Sequence, residues 1–215
     1  MALTIWGRAT SSNVQVAMWA AAELGLEVDR IDCGHSYGGL DTPEYLAMNP
    51  NGVVPTLQDG DLTIWESQAI LRYLAGRYGD EQFWPRDPAI RAELDMWCEW
   101  IRTTFQPNFN YKIFWQMVRV GAAERDEAAI AQAAEALKPI MAILESRLAS
   151  RPGPYLNGAA LCWADIVVGH LLYRYYNLDF SRADTPSLDA YYTALKARPA
   201  FVEHAMVSYE PLRVV

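Results

Sequence analysis

Three short constellations hold the residue types that could do chemistry: Ser11-Ser12-Asn13, Val54-Pro55 and Glu66-Ser67. The first stands before an apolar helical pattern, where serine is a common cap and needs no function. No histidine or acid is spaced to make either serine an activated nucleophile of the triad type. A hydroxyl that only donates a hydrogen bond to an anion needs no base, and that is the chemistry these residues could supply. Val54-Pro55 interrupts a strand pattern. It reads either as a turn-shaping edge proline or as a cis bond that leaves the Val54 backbone free to pair with an extended peptide ligand. Glu66-Ser67 precedes another helical pattern. It is either a capping box begun by Thr63, or a carboxylate site made of a hydroxyl and free helix N–H groups with Glu66 ready to accept from an ammonium. The second alternative would suit the α-amino-acid end of a peptide.

The elements that must position these residues fall into two halves. Leu3-Thr4-Ile5-Trp6 alternates as a strand. Ser12-Asn13 then reads as a cap, with Gln15 as capping-box partner of Ser12. Val14, Ala17, Met18, Ala21 and Leu24 follow at helical spacing, stopped by Gly25. Leu26 to Ile31 is a second strand, and so tight a strand–helix–strand run implies parallel pairing through a right-handed crossover. A glycine-rich loop, 34–39, leads to a short helix from Thr42-Pro43 to a turn at Asn49-Pro50-Asn51-Gly52. Val53 to Leu57 and Leu62 to Ile64 flank Asp59-Gly60 as a hairpin, and Ile70, Leu71, Leu74 and Tyr78 mark a third helix. The first half, 1–79, is thus βαβ, short helix, ββα. After a linker at 80–87, residues 88–215 show no strand pattern and read as an all-helical bundle. In it, 88–120 is kinked at Pro107, 124–150 is an Ala-rich helix bent at Pro139, and helices follow at 164–177, 186–198 and 201–206.

Composition narrows the classes. Of 215 residues 52% are hydrophobic and 20% charged, which excludes a disordered chain. Acids outnumber bases 26 to 18, so the field that draws a protein to nucleic acid or anionic lipid is missing. Cys33, Cys98 and Cys162 form neither a disulfide framework nor a zinc motif, and His35, His170 and His204 make no HExxH, so no metal is expected and a reducing cytoplasm fits. No apolar run reaches the roughly 18 residues of a membrane helix. Val14 to Ala22 reads as an amphipathic helix rather than a signal peptide.

Taken together, NPNGVVPTLQDGDL, WESQAILRYL and the serine-capped first helix make the chain similar to the glutathione S-transferase family over its whole length, with features of the serine-type phi, theta and nu classes. The resemblance implies a thioredoxin-like first domain, an all-helical second domain, a homodimer, and glutathione as co-substrate. It places Ser11 where the hydroxyl faces the glutathione sulfur, and Asn13 where the nu class holds an asparagine near that sulfur. Val54, before Pro55, would pair with the cysteinyl part, and Glu66 and Ser67 would bind the γ-glutamyl end. No cysteine stands near position 11, which sets aside the cysteine-type classes.

The chain departs from the family at the glycine carboxylate of glutathione. The cation positions there match Leu40 and Asp41, and the position before Val54 is Val53; His35 or Asn51 is the available substitute. The second domain's Ser/Thr-x-x-Asp capping box is Cys162-Trp163-Ala164-Asp165, with cysteine a poor cap. The first long helix of the bundle is dense in aromatic residues, most of them expected in the core. Phe105, Phe109, Tyr111 and Phe114 surround the Pro107 kink and are the residues expected at a small hydrophobic electrophile. The implied activity is attack of a glutathione thiolate on that electrophile, in conjugation or dehalogenation. Glutathione-dependent disulfide reduction and a non-catalytic ligand-binding role are the alternatives.

Overall fold

The computed structural model describes residues 3–214. Strand β1 (Leu3–Trp6) buries Leu3 and Ile5, lies parallel to β2 (Val28–Ile31) with Ile5 opposite Arg30, and is antiparallel to β3 (Thr56–Asp59) with Ile5 opposite Leu57. β4 (Leu62–Trp65) closes the sheet in the order β2-β1-β3-β4. The β3–β4 register pairs Asp59 with Leu62. The two-residue loop is therefore Gly60-Asp61, one residue beyond the expected dipeptide, and Gly60 supplies the positive φ of +60° that such a turn needs first.

Helix α1 (Ser12–Glu23) crosses from β1 to β2, and Gly25 ends it at φ +66°. It is not an ordinary amphipathic helix. Gln15, Trp19 and Ala20 are buried along with the apolar stripe, because α1 packs on α3 (Ser67–Tyr78) on one side and on the helical half on the other. Helix α2 (Pro43–Met48) starts at Thr42, whose Oγ1 accepts from the Tyr45 amide.

The second half opens with α4 (Pro88–Trp100), capped by Asp87. The expected kink at Pro107 is taken up differently. Hydrogen bonding switches to i→i+5 over Ile101–Phe105 and Pro107–Phe114, so that Gln106 N donates to Ile101 O and Trp115 N to Asn110 O, and the helix continues into α5 (Trp115–Arg119). A widened turn tolerates a residue that has no N–H to give. Helix α6 (Glu127–Ala149) runs through Pro139. The stretch expected as one helix, 164–177, divides into α7 (Trp163–Gly169) and α8 (Leu172–Asn177). At the break His170 Nδ1 lies 2.7 Å from the Val167 carbonyl, the acceptor that Leu171 N would use in a continuing helix. Helices α9 (Pro186–Lys196) and α10 (Pro199–His204) complete the bundle, each beginning at proline.

The Cys162 cap works better than its residue type suggests. Buried Asp165 accepts from the amides of Cys162 (2.8 Å) and Leu156 (2.9 Å) and from the Tyr191 hydroxyl (3.0 Å). One continuous hydrophobic core spans both halves. Trp19 of α1 meets Phe201 edge-on at 4.8 Å and lies over Gly169 of α7, where a methyl group would come within 2.9 Å of the indole. Arg198 Nε donates to Glu23 across the same seam at 2.8 Å. All three cysteines are buried and free. No helix among the described residues is long and apolar enough to cross a membrane.

Candidate active site

The turn after β1 is built around Gly7. At φ +149° it lies against α1 and Val54, where a Cβ would come within 2.4 Å of Val14 and 3.1 Å of Val54. Arg8 N then bonds Cys33 O at 3.2 Å, and Ser11 N bonds Arg8 O at 3.1 Å. Ser11, not Ser12, is the N-cap of α1, and its side chain makes no capping hydrogen bond. The expected capping box is absent: Gln15 Nε2 instead donates to Ala9 O at 3.0 Å. The Ser11 hydroxyl is thereby left unused at a helix N-terminus, partly exposed, with Asn13 exposed two residues on.

The Val54–Pro55 peptide bond is cis. The loop before it is held by residues that the sequence did not single out as a site. Buried Asn49 donates through Nδ2 to Val53 O at 2.8 Å, and Tyr45 donates through its hydroxyl to the same carbonyl at 2.6 Å. Glu66 is the N-cap of α3 at φ +72°, a region costly for a residue with a Cβ, and its side chain makes no cap. The alternative of a Thr63–Glu66 capping box is therefore not what the fold uses, since Thr63 lies within β4. Ser67 is the first residue of α3.

Asn13, Glu66 and Ser67 come together on one wall of a cleft of about 600 Å³, whose opposite wall is Gln106, Pro107 and Tyr111. Its floor is charged: Arg72 binds Asp95 (2.7 Å) and Glu99 (3.2 Å), and Arg102 binds Glu99 (2.9 Å), which holds the Glu99 carboxyl below its usual range. Arg72, Glu99 and Arg102 of this cleft escaped sequence reasoning, although charges of both signs in the two helical segments were the available signal. His170 also reaches the cleft, but burial pushes its pKa down to about 4, so it is neutral at pH 7.

Of the aromatic residues expected at the electrophile, only Tyr111 faces this cleft. Phe105, Phe109 and Phe114 are core residues: Phe105 and Phe109 stack at 5.3 Å, and Phe114 packs on Tyr209. They recur at intervals of four and five, the inward face of a helix widened by i→i+5 bonding. Ser11, Val54, Pro55, His35 and Asn51 are not among the residues that line the cleft either. His35 lies in a second groove with Leu40 and Asp41, and exposed Asn51 bonds Asn49 Oδ1.

A thioredoxin-like sheet with an uncapped serine at the start of its first helix, a cis-proline loop and a strained helix start, fused to a helical bundle, defines a class of thiol-handling proteins. Family models for the N-terminal and C-terminal domains of glutathione S-transferase match residues 1–76 and 112–205, and the chain belongs to the glutathione S-transferase family. It is 35% identical to Glutathione S-transferase GstB of Escherichia coli K12 over 207 residues, covering 95% of this chain and 98% of the relative. The crystal structure of the theta class glutathione S-transferase of Xanthomonas axonopodis pv. citri with glutathione bound superposes with a TM-score of 0.89 at 44% identity, covering 97% and 99% of the two chains. Glutathione S-transferase I from mais, in complex with an atrazine glutathione conjugate, matches with a TM-score of 0.83 at 25% identity over 95% and 97%. The protein is accordingly an enzyme of this transferase family.

Proposed function

We propose that glutathione reaches from the cleft onto the turns beside it, with its γ-glutamyl end on Glu66 and Ser67 at the start of α3, its cysteinyl backbone along Val54, and its sulfur toward Ser11. A free thiol ionises near pH ~8.5, and a hydroxyl donor with the unpaired first-turn amides of α1 lowers that by about a unit or more. The thiolate then attacks a small electrophile with a largely apolar body, displacing its leaving group. Ser11 stabilises the nucleophile and does not become one. The observation that carries this reading is the Ser11 side chain, which occupies a cap position without capping. The test is the thiolate ultraviolet absorbance of bound glutathione titrated against pH. A thiol pKa lowered by about a unit in wild type and largely restored in Ser11→Ala supports the assignment. Binding without a shift removes Ser11 from it.

Exposed Asn13 on the cleft wall favours a second reading, glutathione-dependent disulfide reduction. Faster turnover of a model disulfide than of an aryl halide would select it. A homodimer is proposed from exposed apolar side chains, Leu62 and Trp65 on β4 and Ile90 and Met96 on α4. Three buried free thiols fit a cytoplasmic setting.

A further inference from the structure

The turn that carries Ser11 also gathers positive charge that thiol activation does not use. Arg174 of α8 is buried, and its Nη2 donates to Thr10 O at 2.8 Å, one residue before Ser11. Its guanidinium lies 4.5 Å from the centroid of the Phe114 ring, and its Nε has no partner. Arg8 begins the same turn, and its Nε is likewise buried and unpartnered. Gly34 leaves room for this side chain, since a Cβ there would meet Arg8 Nη1 at 3.3 Å. Arg119, the last residue of α5, lies over Trp115. Burial chiefly, then the charges of Arg8 and Arg119, lower the Arg174 pKa to about 10; burial and Arg119 lower that of Arg8.

Among the described residues no carboxylate stands within ion-pair distance of Arg8, Arg119 or Arg174. Cations taken out of water without counter-charge are a costly arrangement. Here Arg174 is buried and Arg8 half-buried at one turn without a carboxylate, with the charge of half-buried Arg119 acting on both, in a chain whose acids outnumber its bases. One carbonyl and one aromatic face satisfy part of Arg174, and an anion bound from outside would satisfy the rest.

We propose that Arg8, Arg119 and Arg174 form an anion subsite beside the sulfur position that takes a carboxylate carried by the electrophile, so that the preferred acceptors are small organic acids. The inference rests on the transfer reading above. In the reaction, the thiolate forms a C–S bond at the electrophilic carbon while the carbon–halogen bond breaks. Halide leaves with the bonding pair, the thiol proton passes to solvent, and the carboxylate stays intact as an anchor.

The experiment compares 4-chloro-3-nitrobenzoate with 4-chloro-3-nitrobenzamide as acceptors for glutathione, each rate divided by its uncatalysed rate. In wild type the benzoate is the better acceptor. In Arg119→Gln the benzoate-to-benzamide ratio of kcat/KM falls about tenfold or more, as for a lost charge-assisted hydrogen bond, and Arg119→Lys recovers part of it. Equal loss with both acceptors overturns the proposal. So does a shared rise in the KM for glutathione, which would assign the cluster to glutathione's own glycine carboxylate. A second arm needs no turnover: unreactive 4-nitrobenzoate and 4-nitrobenzamide are titrated against tryptophan fluorescence, and the part of the signal lost in Trp115→Phe is read as that beside Arg119. Saturable quenching by the benzoate alone, weakened in Arg119→Gln, supports the subsite even if transfer itself fails, whereas identical quenching by both compounds overturns it.

Discussion

At the scale of single residues, the backbone of Glu66 makes a measurable trade. A non-glycine residue held at φ +72° costs about 1–3 kcal/mol, and such strain persists where a site needs the geometry. Glu66→Gly should therefore raise the unfolding free energy of the ligand-free protein by about 1 kcal/mol while raising the KM for glutathione. A thermal melt and a glutathione saturation curve check the two halves; a variant that is no more stable contradicts the strain argument. The places of Ser11, Glu66 and Ser67 at helix starts were legible in the sequence because helix starts announce themselves by residue type. Arg174 was not, because the partner that gives it meaning, Thr10, lies 164 residues away. Phe105, Phe109 and Phe114 misled because aromatic character does not say which way a side chain faces, and their spacing of four and five was read against an ordinary helical turn.

Among elements, strands announced themselves by alternation and the first helix by its serine and glycine ends, and all came within a residue or two except β3, which starts three residues after the expected Val53, beyond the cis-proline. The divided helix at His170–Leu171 left no such trace, since it depends on a side chain competing for a backbone carbonyl. The cap of α7 also belongs to this scale. Asp165 satisfies three donors in the dry core, so Asp165→Ala leaves the amides of Cys162 and Leu156 and the Tyr191 hydroxyl unpaired. At about 1–3 kcal/mol for each stranded group the loss should be roughly 4 kcal/mol. Urea midpoints measure it, and a loss under about 1 kcal/mol would mean that water or another partner replaces the carboxylate.

For the whole molecule, the sequence offered two halves and a linker, and the seam between them went unread because Trp19 looked like one more residue on a helix. One continuous core predicts one unfolding event, with far-ultraviolet circular dichroism and tryptophan fluorescence giving coincident urea transitions. Buried His170 sets part of its pH dependence. Its folded pKa of about 4 lies below the ordinary value near ~6.5, so as pH falls through that window the unfolded chain takes up a proton before the folded one. Stability is complete above about pH 6.5 and falls toward pH 4. Between pH 7.5 and 4.5 wild type should lose roughly 2.5 kcal/mol more than His170→Asn. Parallel curves for the two proteins would show that the ring is not what titrates.

The hydrogen bond from Arg174 to Thr10 bears on the history of the chain as well as on its stability. A recombination joint near residues 80–87 would look harmless from the linker alone. Yet the turn that presents Ser11 is fastened from α8, and Trp19 needs the bare backbone of Gly169 beneath it. A hybrid of two relatives inherits only half of each pairing. Exchange of whole halves should therefore succeed only between lineages that already agree at positions 19, 169 and 174, the carbonyl of residue 10 being backbone that any residue supplies.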